Sequence, residues 1–200
     1  MYKRQVLTLI LWSISDFFGF IFTLITIWVY YFFRDPERNI IEDDTYLVSP
    51  ADGIISAVAE VNGPVELGLE NKKFTRISIF MNIFNCHVNR SPLAAEINDI
   101  FYKPGKFLNA SLDKASEENE RNYFKLIDTK KNEEIVVVQI AGLIARRIVT
   151  QVSKKQTVDQ GQRLGMIRFG SRVDIYFSNR KIMVKKGQNV IAGESLIASS

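Results

Sequence analysis

The chain is poor in the residues that build covalent staples and metal cages. Cys86 is its single cysteine, which excludes an internal disulfide framework and any multi-cysteine metal site. His87 is its single histidine, which excludes zinc sites built on two or more histidines; no metal is expected. The lack of disulfides agrees with a reducing compartment. Charge of one sign is scarce as well, since 26 Lys and Arg against 22 Asp and Glu leave a net charge of only +4. That balance reads as a solvated surface with a slight cationic excess, or as mild attraction to anionic lipid or substrate. No arginine-rich tract or aromatic–basic repeat is present, so no nucleic-acid partner is expected.

What is present divides the chain in two. Its 200 residues suffice for one domain with a real core and a short appendage. Fourteen Phe are many, and six of them cluster between Phe17 and Phe33. Val6 to Phe33 is hydrophobic, broken chiefly by Ser13, Ser15, Asp16 and threonines, and flanked by Lys3, Arg4, Arg34 and Arg38. As one helix it would run about 42 Å at ~1.5 Å per residue, against a hydrocarbon core of ~30 Å. A tilted span and a shallow pair of helices hinged near Asp16–Gly19 both accommodate that excess. The stretch is longer than a secretory h-region, and no small-residue cleavage site follows before Arg34. Residues 1–35 are therefore read as a retained membrane segment, with Trp12, Trp28, Tyr30 and Tyr31 suited to the interface. Cations at both ends leave its orientation open.

After Pro36 the pattern changes to short apolar runs separated by turn residues. Leu47–Val48, Gly53–Val58, Phe74–Met81, Ile135–Ile140, Leu143–Val149, Met166–Phe169, Val173–Phe177 and Lys181–Val184 are all of strand length. Lys103–Asn122 is polar and aperiodic and reads as a long loop, with a helical turn at Leu112–Asn119. Gly187 and Gly193 punctuate the C-terminal stretch from Val184 to Ala198 into strand–turn–strand units. This spacing resembles the barrel-sandwich folds of lipoyl and biotinyl carriers, although no lysine sits in a carrier hairpin. The expected fold is mainly β: a barrel-sandwich-like domain over residues 36–200, preceded by a hydrophobic membrane helix or helical hairpin.

Three patches carry candidate chemistry: Ser49-Pro-Ala-Asp-Gly53, Asn85-Cys-His-Val-Asn-Arg-Ser-Pro92, and Gly165-Met-Ile-Arg-Phe-Gly-Ser-Arg-Val-Asp174. Each has a plain structural meaning alone. Pro50, Asp52 and Gly53 are turn residues; a lone histidine is more often structural than catalytic; a Gly–Ser pair between strands is usually a turn or bulge. Together, and with Phe32-Phe-Arg-Asp-Pro36 and Gly142-Leu-Ile-Ala-Arg-Arg147 in order, they resemble the phosphatidylserine decarboxylase proenzymes of the short form.

That resemblance implies an enzyme that makes its own catalytic group. The peptide bond between Gly170 and Ser171 breaks, giving a larger chain of residues 1–170 and a smaller one of 171–200, and Ser171 becomes a covalent pyruvoyl cofactor. The residue types suit the chemistry. Gly170 has no Cβ to obstruct approach to its carbonyl. Ser171 supplies a hydroxyl that can attack that carbonyl and then leave from Cβ, which alanine could not do. The pyruvoyl carbonyl serves as an electron sink while phosphatidylserine loses CO2 to become phosphatidylethanolamine. His87 has the only side chain with an unperturbed pKa near neutrality, so by resemblance it could assist cleavage, protonate the carbanion, or both. Asp52 matches the family aspartate and could orient or charge-stabilise that histidine. Long-form enzymes carry two histidines in this region and a Leu-Gly-Ser-Thr cut site. This chain has Arg90 near the second histidine's place and Phe169-Gly-Ser-Arg172 at the cut.

Arg90, Arg146, Arg147, Arg168 and Arg172 lie in or near these patches, and arginine suits bidentate phosphate contacts. Arg168 and Arg172 are the two singled out for the headgroup phosphate. The expected partners are phosphatidylserine in the membrane and the two cleavage products with each other, with homo-oligomerisation left open. The expected location is the cell membrane, peripheral or anchored, with the catalytic domain cytoplasmic. Two rivals remain: the same chemistry on another amino-acid-bearing substrate, and a non-enzymatic membrane adaptor, which gives no reason for the Gly170–Ser171 context.

Overall fold

The structure, a computed structural model, describes residues 2–107, 118–142, 147–168 and 171–200. The helical turn read at Leu112–Asn119 falls largely outside them, as do Gly170 and most of the Gly142–Arg147 motif. The chain forms two compact units, Met1–Pro36 and Glu37–Ser200.

The first unit is a pair of helices, α1 (Tyr2–Ile14) and α2 (Asp16–Phe32). The chain is extended at Ser15 (φ −163°, ψ 128°), which separates the two helices one residue before the expected hinge. Between them the contacts are partly polar. Thr26 Oγ1 donates to the Phe22 carbonyl and lies 3.2 Å from Thr8 Oγ1, a hydroxyl–hydroxyl hydrogen bond. Thr23 likewise donates to the Gly19 carbonyl and accepts from Trp12 Nε1 at 3.1 Å. A Cβ on Gly19 would lie 2.6 Å from the Trp12 ring, so glycine lets the helices close up. The large apolar side chains point outward: Leu9 is 70% exposed, Phe17 67% and Ile27 60%. At ~1.5 Å per residue α2 is about 26 Å long. No helix among the described residues is long and apolar enough to cross a membrane.

The second unit is mainly β. Its strands are β1 (Tyr46–Val48), β2 (Gly53–Asn62), β3 (Lys73–Met81), β4 (Val88–Arg90) and β5 (Ala95–Lys103). Next come β6 (Arg121–Asp128), β7 (Glu134–Ile140), β8 (Arg147–Thr150), β9 (Thr157–Val158) and β10 (Arg163–Arg168). Last are β11 (Ser171–Phe177), β12 (Lys181–Ile182), β13 (Asn189–Val190) and β14 (Leu196–Ser199). Eight of them form one sheet in the order β13-β2-β3-β11-β7-β6-β5-β9, curled into a half-barrel. Two small sheets, β1-β14-β12 and β4-β10-β8, complete the unit. The carrier-like rhythm of the C-terminus is seen in its turns, since Gly187 (φ 86°) and Gly193 (φ 79°) take left-handed conformations.

β5 and β6 were not among the runs picked out by composition, and they frame the segment read as a loop. Their apolar positions are diluted by Glu96, Asp99, Lys103, Arg121 and Lys125. They are strands because Ile97, Phe124 and Leu126 fill the interior of the half-barrel while the charges lie elsewhere on the pleat.

β11 lies at the centre, hydrogen-bonded to β3 on one side and β7 on the other. Its alternate residues serve two cores. Val173, Ile175 and Phe177 join Ile77, Ile79, Met81, Val137 and Phe124 inside the half-barrel. Tyr176 packs on the reverse face beside Phe74, Tyr123, Val136 and Val138.

Candidate active site

Ser171 opens β11, opposite Met81 of β3, and the period of two points its side chain to the interior with Val173 and Ile175. It is fully buried, and its Oγ has no hydrogen-bond partner among the described residues. An orphaned buried hydroxyl costs about 1–3 kcal/mol and calls for an explanation. Ser171 follows Gly170 directly in the sequence, at the pair expected to be cut.

His87 immediately precedes β4 and is also fully buried. Its Nδ1 lies 3.0 Å from the Asn85 carbonyl, which can only accept, so Nδ1 carries the proton. In the neutral ring Nε2 then holds the lone pair, as a proton acceptor must. The His87 carbonyl accepts from Ile167 N at 3.2 Å, which ties the histidine to the end of β10, four residues before Ser171.

Asp52 stands before β2, where Ile54 lies opposite Phe80. Two interstrand spacings, about 10 Å, separate this strand from β11. Its carboxylate accepts from Arg38 Nη2 at 2.8 and 3.0 Å and from Ala192 N at 2.8 Å. The aspartate thus clamps Arg38 and the turn before Gly193. Its neighbour Gly53 (φ 153°) is required where it stands, because a Cβ there would lie 2.2 Å from the Phe80 carbonyl oxygen.

The arginines separate by role. Arg172 is buried on the reverse face of the sheet and forms a fork with Asp174, at 2.6 Å from Nε and 2.7 Å from Nη2. Arg90 is buried too, and its Nη1 donates to the Gly161 carbonyl at 3.0 Å. Arg168 and Arg147 are exposed and face each other across the β10–β8 pair, at the end of β10 nearest Ser171. Arg146 lies outside the described residues.

Three buried amides that the sequence did not single out complete the inner surface. Asn122 Nδ2 donates to Gln139 Oε1 and to Thr150 Oγ1, each at 3.3 Å. Gln139 Nε2 donates to Asn89 Oδ1 at 2.8 Å, and Asn89 Nδ2 reaches Met81 Sδ at 3.7 Å. Asn89, Gln139 and Asn122 are each at most 2% exposed. A signal existed for Gln139, the lone polar residue inside the apolar run Ile135–Ile140 and in phase with its inward positions. Arg38, beside the hydrophobic stretch, carried none.

The reverse face of the sheet holds a separate cleft of about 530 Å³, lined by Glu66, Arg76, Lys103, Arg121, Tyr123 and Tyr176 among others. Burial pushes the Glu66 carboxyl up, but the hydrogen bond from Lys103 and the charge of Arg121 leave it below its ordinary value. Burial raises Tyr176 to about 12, helped by the charge of Asp174. Ser171 does not line this cleft.

Residues 25–198 match the family model described as phosphatidylserine decarboxylase. The chain belongs to that family. It is 63% identical over 193 residues to the phosphatidylserine decarboxylase proenzyme of Pelagibacter ubique (strain HTCC1062), covering 96% of this chain and 89% of that one. The corresponding proenzyme of Ruegeria pomeroyi (strain ATCC 700808 / DSM 15171 / DSS-3) is 51% identical over 193 residues, 96% of this chain and 88% of that one. That of Nitrobacter winogradskyi (strain ATCC 25391 / DSM 10237 / CIP 104748 / NCIMB 11846 / Nb-255) is 53% identical over 192 residues, 96% of this chain and 77% of its own. As a phosphatidylserine decarboxylase family member the protein is a proenzyme and a decarboxylase, which replaces the adaptor reading.

Proposed function

We propose that this chain decarboxylates phosphatidylserine to phosphatidylethanolamine, after cutting itself between Gly170 and Ser171 and converting Ser171 to a pyruvoyl group. The observation that carries this reading is the buried, unpartnered Oγ of Ser171 at the head of a central strand.

In the cut, Oγ adds to the carbonyl carbon of Gly170 and gives up its proton to a base. The C–N bond then breaks as the Ser171 nitrogen takes a proton, leaving an ester. Loss of the Ser171 α-proton expels the Gly170 carboxylate and leaves a dehydroalanine, which water hydrolyses to pyruvoyl and ammonia. His87 suits the base role because its Nδ1–H is committed to the Asn85 carbonyl. The residues fit a pyruvoyl group at the new terminus, where polar amides and the histidine interrupt an apolar interior. When present, that group supplies a carbonyl electron sink for the electrons released with CO2. Asp52 acts at one remove, holding Arg38 and the turn at Ala192.

Residues 171–200 stay with residues 1–170 on this reading. The smaller chain contains β11, which pairs with β3 and β7, as well as β13, which pairs with β2, and β14, which pairs with β1. Arg168 and Arg147, exposed at the end of β10 nearest Ser171 in the sequence, are the best placed for the headgroup phosphate. The helical pair of residues 1–36 rests in the membrane interface, with its outward Leu9, Phe17 and Ile27 among the acyl chains.

Intact-mass spectrometry under denaturing conditions tests the reading. Wild type should give two chains, residues 1–170 and 171–200, the smaller without an ordinary amino terminus. Ser171→Ala should remain one chain. A wild type that stays whole in active membranes would sink the proposal.

A further inference from the structure

The three buried amides on the inner surface are oriented in one sense. Asn122 donates to Gln139, Gln139 donates to Asn89, and Asn89 is left with its Nδ2 protons. Turning any one amide over by itself would set donor against donor or acceptor against acceptor, so each amide holds its neighbours in this sense. Bonds aligned in series also polarise one another. The last donor has a poor acceptor, the Met81 thioether at 3.7 Å, although Asn89 is fully buried. A strong donor facing a weak acceptor is a donor held for something else.

The strand order locates it. Asn89 receives its bond from Gln139 on β7 and gives its own toward Met81 on β3, and β11 runs between those two strands. Gln139 is opposite Val173, and Met81 is opposite Ser171. The Asn89 amide therefore bridges the inner face of β11 at its head, with Nδ2 on the Ser171 side. This is the face that carries the orphaned Oγ.

We infer that Asn89 is a catalytic residue of self-cleavage, its Nδ2–H taking the negative charge that develops on the Gly170 carbonyl oxygen when Ser171 Oγ adds to it. Gln139 and Asn122 are positioning residues that hold this donor. The inference rests on the self-cleavage proposed above. No redox partner is needed: the Oγ–C bond forms, the C–N bond breaks, and Asn89 only lends a hydrogen bond to the oxygen in between.

The test is cell-free synthesis of the full chain, sampled over time by denaturing intact mass. Wild type, Ser171→Ala, Asn89→Asp and Gln139→Met are compared across a pH series. Asn89→Asp keeps the shape and the acceptor for Gln139 but exchanges the donor for a negative charge. Loss of one such donor slows reaction by about 10²-fold or more, so Asn89→Asp should cleave at least that much more slowly at neutral pH. Relative to wild type its rate should recover on acidification, as a protonated carboxyl offers an O–H in place of the lost N–H. A purely packing role predicts no such pH-dependent recovery. Cleavage within about twofold of wild type, or a slowing that acid does not relieve, would overturn the inference. If Asn89→Asp does not melt cooperatively, Gln139→Met decides: slowed cleavage supports the inference and a wild-type rate overturns it. An uncut wild type would remove both this inference and the function proposed above. A wild type that cuts beside a normally cutting Asn89→Asp removes only this one.

Discussion

The two faces of β11 differ in how they treat polarity. On the outward face, Arg172 and Asp174 are buried but satisfy each other in a two-pronged ion pair, and Tyr176 packs beside them. On the inward face, Val173, Ile175 and Phe177 are apolar and the single polar group, the Ser171 hydroxyl, is left unsatisfied. Buried charge that is fully paired supports a structure only as long as both partners remain. A buried hydroxyl without a partner does nothing for stability, and on the function proposed above it is retained for reaction. One strand thus separates structure from chemistry by side-chain parity, and the separation can be broken from either face. Apart from Ser171→Ala, which should abolish the cut outright, the outward face should govern folding.

The largest effect on stability is expected at Asp174. Asp174→Ala leaves the Arg172 guanidinium buried without its counter-charge, and both side chains are at most 4% exposed. Such a loss costs about 3–5 kcal/mol. Urea unfolding of the uncut Ser171→Ala background, with and without Asp174→Ala, measures it on a single chain. In the otherwise wild-type chain the folded fraction should still cut, because the Arg172–Asp174 pair is on the far side of the sheet from Oγ. Cutting abolished in a chain that folds normally would erase the distinction between the faces.

A smaller effect belongs to the inward core. Ile175 is fully buried in the large cluster, so Ile175→Val removes one methylene at a cost of about 0.5–1.5 kcal/mol. The same urea experiment reads it, and the cleavage rate should stay within about twofold of wild type. On the function proposed above, this sharpens the comparison by confining the chemistry of the inner face to its head, where Ser171 stands opposite Met81.

Much of this division was legible in the sequence. Val173–Phe177 alternates bulky apolar residues with Asp174 and Tyr176, which is the signature of a strand with two environments, and the Gly–Ser pair marks where it begins. The order of the motif patches led to the family before any fold was visible. Partnership was harder to read. Asp52 and Arg38 are separated by the first β strand, and nothing local announces that one holds the other. Arg172 reads as a phosphate ligand by type and proximity, yet the pleat turns it outward to Asp174. β5 and β6 escaped composition because charged residues occupy much of their pleat, and only the pairing of the strands reveals which face is inward. In the amide relay Asn122 and Gln139 are opposite each other on the paired strands β6 and β7, but Asn89 comes from β4 of another sheet, a meeting that no local pattern announces.

The smallest effect appears only in alkali and distinguishes the faces by titration. Burial, aided by the Asp174 charge, raises the Tyr176 hydroxyl to about 12, above the ordinary tyrosine value of about 10. Burial raises Tyr123, on the same face, further still. A pKa raised on folding means that the native state holds the proton more tightly than the unfolded chain. The stabilisation is therefore complete below about pH 10 and is lost as pH rises through the folded value near 12. The inward residues Val173, Ile175 and Phe177 have nothing to titrate in that window. Urea midpoints of the uncut Ser171→Ala background between pH 9 and pH 12 should fall steadily. Adding Tyr176→Phe should shallow that fall, while Ile175→Val should lower every midpoint by a similar amount and leave the slope unchanged. An unaltered slope in Tyr176→Phe would mean that Tyr176 is not held neutral by its burial, and the outward face would lose its claim to be the titrating one.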